Sequence, residues 1–125
     1  TFHQLLFKGI PSMFPKLRWA FVEVSAQWIP YALNDLGLRM ARRGEDISES
    51  IMADNNIWVA CQVTDDIDYV LKYSGETQLV VGTDYGHADT STEIEALRKL
   101  SSDGKVSAEV ATKILEDNAR ALYGL

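Results

Sequence analysis

The chain has 125 residues, 46% of them hydrophobic and 24% charged, so residues 1–125 hold enough apolar material for one globular domain with its own core. A formal net charge of −6 and an isoelectric point near 4.8 repel phosphate backbones, and the basic residues form no aromatic-studded patch, which argues against nucleic acid as a partner. No apolar run nears the roughly 18 residues of a membrane-spanning helix, and the N-terminus lacks a signal-peptide pattern, so the expectation is a cytoplasmic protein with no membrane partner.

In chain order, Thr1 to Phe14 reads as a weak helix ended before Pro15. Arg18 to Val24 (RWAFVEV) is a first apolar, β-branched and aromatic run with the length of a strand. A helix follows from Ile29 and Pro30, with Leu33, Leu36 and Met40 on one face and Arg39, Arg42 and Arg43 near its far end. Ile57 to Val63 (IWVACQV) is a second such run. Thr64 is its helix-capping candidate, Asp65 and Asp66 favour the positive helix start, Ile67, Val70 and Leu71 share a face, and Gly75 stops the helix. Leu79 to Thr83 (LVVGT) is the third run, followed by the capping-box spacing Thr90-Ser91-Thr92-Glu93 and the apolar positions Ile94, Leu97 and Leu100. A last helix starts near Ser107, buries Val110, Ile114, Leu115 and Leu122, and ends at Gly124.

A helix, three βα units and an extra helix predict an α/β fold with three parallel strands joined by right-handed crossovers. Runs that are almost continuously apolar suit strands covered on both faces. Three strands leave two apolar edges, so either a missing part of the protein or a second copy is expected to cover them.

Ligands of parallel α/β folds gather at the C-terminal ends of the strands. Glu23, Gln62 and Asp84 stand near the ends of the first, second and third runs, and His87 follows Asp84 closely. A carboxylate there can bind a cation, and an imidazole beside it can contact substrate or move protons. Trp28 and Tyr31 fall near a pocket mouth, where contact with substrate competes with simple helix-start packing. Cys61, the sole cysteine, lies in an apolar run and reads as a buried, inert thiol. Trp19, Phe21 and Trp58 read as core, Asn118 as a local hydrogen-bonding residue, and His3 has no ligand spacing.

LVVGTDYGHADTS, Leu79 to Ser91, resembles the eighth-strand G-[TS]-D-Y-P-H signature of the amidohydrolase 2 family, which includes aminocarboxymuconate-semialdehyde decarboxylase and related aromatic-acid decarboxylases. FPKLRWAFVEVSAQWIPYAL, Phe14 to Leu33, resembles the sixth-strand region of that family, and KILEDNARALYGL, Lys113 to Leu125, its C-terminal helix. The resemblance implies strands six to eight of a (βα)8 TIM barrel, a divalent metal, usually zinc, with Asp84 as metal ligand, and His87 as a substrate-pocket residue. Decarboxylases of the family carry a histidine where this chain has Glu23, which implies a substituted acid/base or substrate contact, and Gly86 replaces the proline of the signature.

A catalytic zinc needs about three protein ligands and an open position. The H-x-H or E-x-H pair of strand one and the histidine of strand five have no match here, since His3 and His87 are the only histidines. A whole barrel takes about 250 residues. The expectation is therefore the C-terminal portion of a hydrolase or decarboxylase for a small carboxylated or aromatic substrate, inactive alone. The alternatives are a non-catalytic half-barrel interaction module stabilised by homodimerisation, and a small flavodoxin-like domain. The last needs a glycine-rich phosphate loop, which Asp84 within Gly82–Gly86 opposes.

Overall fold

The computed structural model describes residues 1–62, 64–88, 95, 99, 100, 102, 104 and 106–125. The element order is α1 (Phe2–Phe7), α2 (Ile10–Met13), β1 (Trp19–Phe21), α3 (Ile29–Ala41), α4 (Ile51–Asp54), β2 (Ile57–Cys61), α5 (Ile67–Ser74), β3 (Leu79–Val81), α6 (Ala108–Thr112), a π-helical turn (Lys113–Asp117) and α7 (Asn118–Tyr123). The three strands form one parallel sheet in the order β1-β2-β3. Trp19 lies opposite Ile57 and Phe21 opposite Val59, while Val59 lies opposite Leu79 and Cys61 opposite Val81.

Each strand is shorter than its apolar run, and the backbone explains the ending of β1. Glu23 has φ 57°. A left-handed residue turns the chain out of the ladder, so the apolar Val22 and Val24 beyond β1 remain exposed instead of extending it. The middle strand is buried along its whole length, as expected for a strand paired on both sides.

The sheet has two unlike faces. One carries Ile57, Val59, Cys61 and Leu79, packed with Ile29, Leu33 and Leu36 of α3, Ile67 and Val70 of α5, and Val110, Ala111 and Ile114 from the C-terminal segment. Burying each such aliphatic chain contributes about 1.5–3 kcal/mol, which makes this face the main source of stability. The other carries Trp58, Ala60 and Val80, covered by Ala119 and Leu122 of α7. Among the described residues no fourth strand borders β1 or β3.

Several expectations change in detail. The opening helix is broken at Gly9, whose φ of 62° caps α2 from the left-handed region, so Thr1 to Phe14 forms two short helices. Asp66, not Thr64, caps α5, its carboxylate accepting from Tyr69 N–H at 3.2 Å. Thr64 sits too early because Asp65 and Asp66 intervene before the helix begins. Ser107 does cap α6, accepting from Val110 N–H at 3.2 Å, but the last helix contains a π-helical turn, and Leu115 and Leu122 are only half-buried. Phe21 too is half-buried, set edge-on against Phe2 and Trp28 with ring centroids 5.9 and 5.6 Å away. The Thr90–Glu93 capping box and Ile94 and Leu97 lie outside the described residues.

Asn118 is not a local hydrogen-bonding residue. Buried at the start of α7, its side-chain amide reaches across the fold to donate to Glu76 O at 2.8 Å and Leu79 O at 2.7 Å. Arg18, just before β1, donates to Ala121 O and Leu122 O at the other end of the same helix, at 3.0 and 3.1 Å. These bonds fix α7 against the N-terminal ends of β1 and β3.

Candidate active site

Glu23, Asp84 and His87 come together beyond the C-terminal ends of β1 and β3. One ligand-type atom from each lies within 4.8 Å of the other two. His87 Nδ1 is 3.0 Å from Asp84 Oδ1, and the His87 N–H donates to Asp84 O at 3.2 Å, so the Asp84–His87 turn is closed through both backbone and side chain. The Asp84 side chain is 14% exposed and that of His87 63%, which makes the carboxylate the inner anchor and the imidazole the outer group. Gly86 adopts φ 98°, a conformation that proline, with φ near −65°, is unable to take. The glycine therefore defines a loop path closed to the proline of the family signature.

Left-handed backbone at a non-glycine residue costs about 1 kcal/mol and persists only where its surroundings impose it. Glu23, Ser25 and Asp84 all have it, with φ of 57°, 57° and 50°. Two of them, Glu23 and Asp84, carry the carboxylates that meet in the cluster.

Below this cluster lies a slot of about 200 Å³. Val22, Ala60 and Val80 form its wall, Ala119, Leu122 and Tyr123 of α7 line it, and Glu23, Gln62 and Asp84 stand at the strand-end side. Gln62 follows β2, between the two carboxylate-bearing strand ends. Trp28 is not among the lining residues; its indole packs edge-on against Phe2 with centroids 5.2 Å apart and donates from Nε1 to Ser25 O at 2.8 Å. Tyr31 is exposed on α3. Cys61 contributes to the wall but is fully buried, and burial, with a smaller contribution from the Asp65 carboxylate, pushes its thiol up to about 12, which disqualifies it as a nucleophile.

The residue that sequence reasoning missed is Asp65. Read there as one of two acids favouring a helix start, it is buried and accepts from Ser25 Oγ, from Ala26 N–H at 2.8 Å and from Gln62 N–H at 2.8 Å. The signal was present in the Asp65-Asp66 pair, because a single side chain caps a helix and the second is left for another task.

Two carboxylates and an imidazole are a donor set suited to a hard or borderline divalent cation, and their mutual distances allow all three to reach one ion. His3 takes no part, because it lies on α1 with Nε2 2.8 Å from Ala32 O.

The parallel sheet and its crossover helices are those of part of a (βα)8 barrel. The chain superposes on the crystal structure of an amidohydrolase from Mycobacterium avium subsp. paratuberculosis K-10 with a TM-score of 0.70 and 22% sequence identity, over 97% of this chain and 31% of that one. It thus spans less than a third of the length of that neighbour. No family model matches the sequence, and no curated protein does. Among the described residues, no helix is long and apolar enough to cross a membrane.

Proposed function

We propose that the chain is the C-terminal portion of a metal-dependent amidohydrolase-type enzyme of the aminocarboxymuconate-semialdehyde decarboxylase-like kind, hydrolysing or decarboxylating a small carboxylated or aromatic substrate. The observation that carries this reading is the convergence of Glu23, Asp84 and His87, three residues picked out by their position near or beyond strand ends, into one cluster within 4.8 Å. The barrel-type fold and the amidohydrolase neighbour agree with it.

In this reading Asp84, the least exposed donor, holds the cation, which is zinc. The cation supplies Lewis-acid polarisation and a lowered water pKa. His87, exposed and paired with Asp84, completes the ligand set or carries protons at the mouth. Glu23 faces them from β1 at the place that histidine holds in the decarboxylases, and there its carboxylate is the second ligand of the cation. The slot beneath admits only a small ring or chain, since about 200 Å³ falls short of pockets for larger ligands, which run from roughly 300 Å³. Further ligands and barrel wall come from strands outside this chain, and the open edges of β1 and β3 receive them. The chain alone is then inactive and binds the cation weakly.

Zinc titration of chelator-treated chain, followed by calorimetry, tests this. The expected result is one cation per chain and at least tenfold weaker binding in both Asp84→Asn and Glu23→Gln. Zinc binding that neither substitution alters places the cation elsewhere and ends the proposal. A second reading, a non-catalytic module that pairs its sheet edges in a homodimer, is favoured by those same open edges. A stable monomer in sedimentation argues against it.

A further inference from the structure

We infer that Asp65 is a positioning residue that holds Glu23 at the Asp84–His87 pair by clamping the loop after β1 to the end of β2. The inference rests on the cation-site reading above and adds to it a residue outside the donor set.

The loop carrying Glu23 leaves β1 through two left-handed residues, Glu23 and Ser25, each at φ 57°. Neither is glycine, so neither conformation holds itself. Asp65 supplies the restraint. Its Oδ1 accepts from the Ser25 hydroxyl and its Oδ2 from Ala26 N–H at 2.8 Å, while the same Oδ2 takes Gln62 N–H, also at 2.8 Å. One carboxylate therefore joins the β1 loop to the residue that follows β2.

The surrounding bonds leave the clamp little freedom. The Ser25 oxygen, while donating to Asp65, accepts from Gln27 N–H at 3.0 Å, and Ser25 O accepts from Trp28 Nε1 at 2.8 Å. Asp66 N–H donates back to Gln27 Oε1 at 2.8 Å. Ala26 is fully buried and Asp65 is 7% exposed, so water competes little for the bond between them. Charge-assisted bonds from a buried carboxylate are the strong kind, and they act on the segment whose backbone has to be held. Asp65 is thereby to Glu23 what outer-shell partners are to metal ligands, whose loss typically costs 10–100-fold in affinity.

The test has two arms on the 125-residue chain. In the metal-free protein, Asp65→Asn exchanges one acceptor oxygen for a donor, and the backbone chemical shifts of Glu23 and Ser25 are expected to leave their left-handed values while those of Phe21 and Val59 stay in place. Unchanged Glu23 and Ser25 shifts overturn the inference whatever the cation does. In the second arm Co2+ is titrated and its visible absorption recorded at saturation. Asp65→Asn is expected to weaken Co2+ about tenfold and to give the altered spectrum of Glu23→Gln, and the double variant to lose no more than Glu23→Gln alone. A purely structural Asp65 lowers the urea midpoint but leaves the spectrum of the saturated folded chain unchanged, and losses that multiply in the double variant also overturn the inference. Should Asp65→Asn fail to fold, Ser25→Ala, which removes one of the three donors, is expected to show the same changes in smaller measure. A wild-type chain that takes up no Co2+ defeats the cation-site reading itself, an outcome distinct from a failure of the clamp in the metal-free arm.

Discussion

The side-chain amide of Asn118, at the start of the final helix, donates to the carbonyl of Leu79, the first residue of the last strand, at 2.7 Å. With its second bond to Glu76 O at 2.8 Å, one side chain fixes both the turn entering β3 and the helix that covers the second sheet face.

Asn118→Ala leaves two inner carbonyls without this donor, and the expected loss is about 2–3 kcal/mol. Urea denaturation followed by circular dichroism measures it. A change below about 0.5 kcal/mol, the size of an ordinary surface substitution, contradicts the role given to this amide.

Phe21→Ala removes a half-buried ring that packs edge-on against Phe2 and Trp28. Its cost should fall below the roughly 3–5 kcal/mol of a fully enclosed phenylalanine, at about 2 kcal/mol. Tryptophan fluorescence is expected to report the altered surroundings of Trp28, and a loss of 4 kcal/mol or more shows the ring to be better enclosed than its exposure implies.

Asp84→Asn should leave the metal-free chain within about 0.5 kcal/mol of wild type, because asparagine accepts a left-handed backbone and the Asp84–His87 pair is half in solvent. Asp84→Ala adds a backbone penalty of about 1 kcal/mol. Thermal melts of the two variants separate these effects, and unfolding by the asparagine substitution alone makes Asp84 a structural hub instead.

Cys61 predicts a pH dependence. Its thiol is pushed from 9.0 in the unfolded chain up to about 12 in the fold. A group whose folded pKa is raised contributes stability that is fully present below the unfolded value and is lost as pH rises through the folded one. The wild type should therefore lose more stability than Cys61→Ala as pH climbs from 9.0 toward about 12, by up to about 4 kcal/mol in total. Parallel chemical denaturation of both proteins across that window checks the difference, and native Cys61 should resist thiol reagents until the chain unfolds.

The alternating apolar runs revealed three parallel strands because Ile57, Val59 and Leu79 must be buried wherever the chain goes. The clustering of Glu23, Asp84 and His87 was legible for a related reason, since polar residues at or just beyond the ends of such runs fall at one end of the sheet. What escaped the sequence depends on pairs far apart along it. Asp65 serves the loop at Ser25, and Asn118 serves Leu79, and neither partner leaves a periodic trace. The early end of β1 was hidden likewise, because a φ of 57° at Glu23 does not follow from its residue type.

The two carboxylates of the site come from opposite strands of the sheet, β1 and β3, with β2 between them. An ion that needs both has nothing comparable to grip in a chain where either strand has come away. Mass action then couples occupancy to the integrity of the sheet, and a cation at 100 times its Kd adds about 2.7 kcal/mol to folding, provided that it ignores the unfolded chain. The melting temperature thus becomes a binding isotherm for the ion, readable without any substrate.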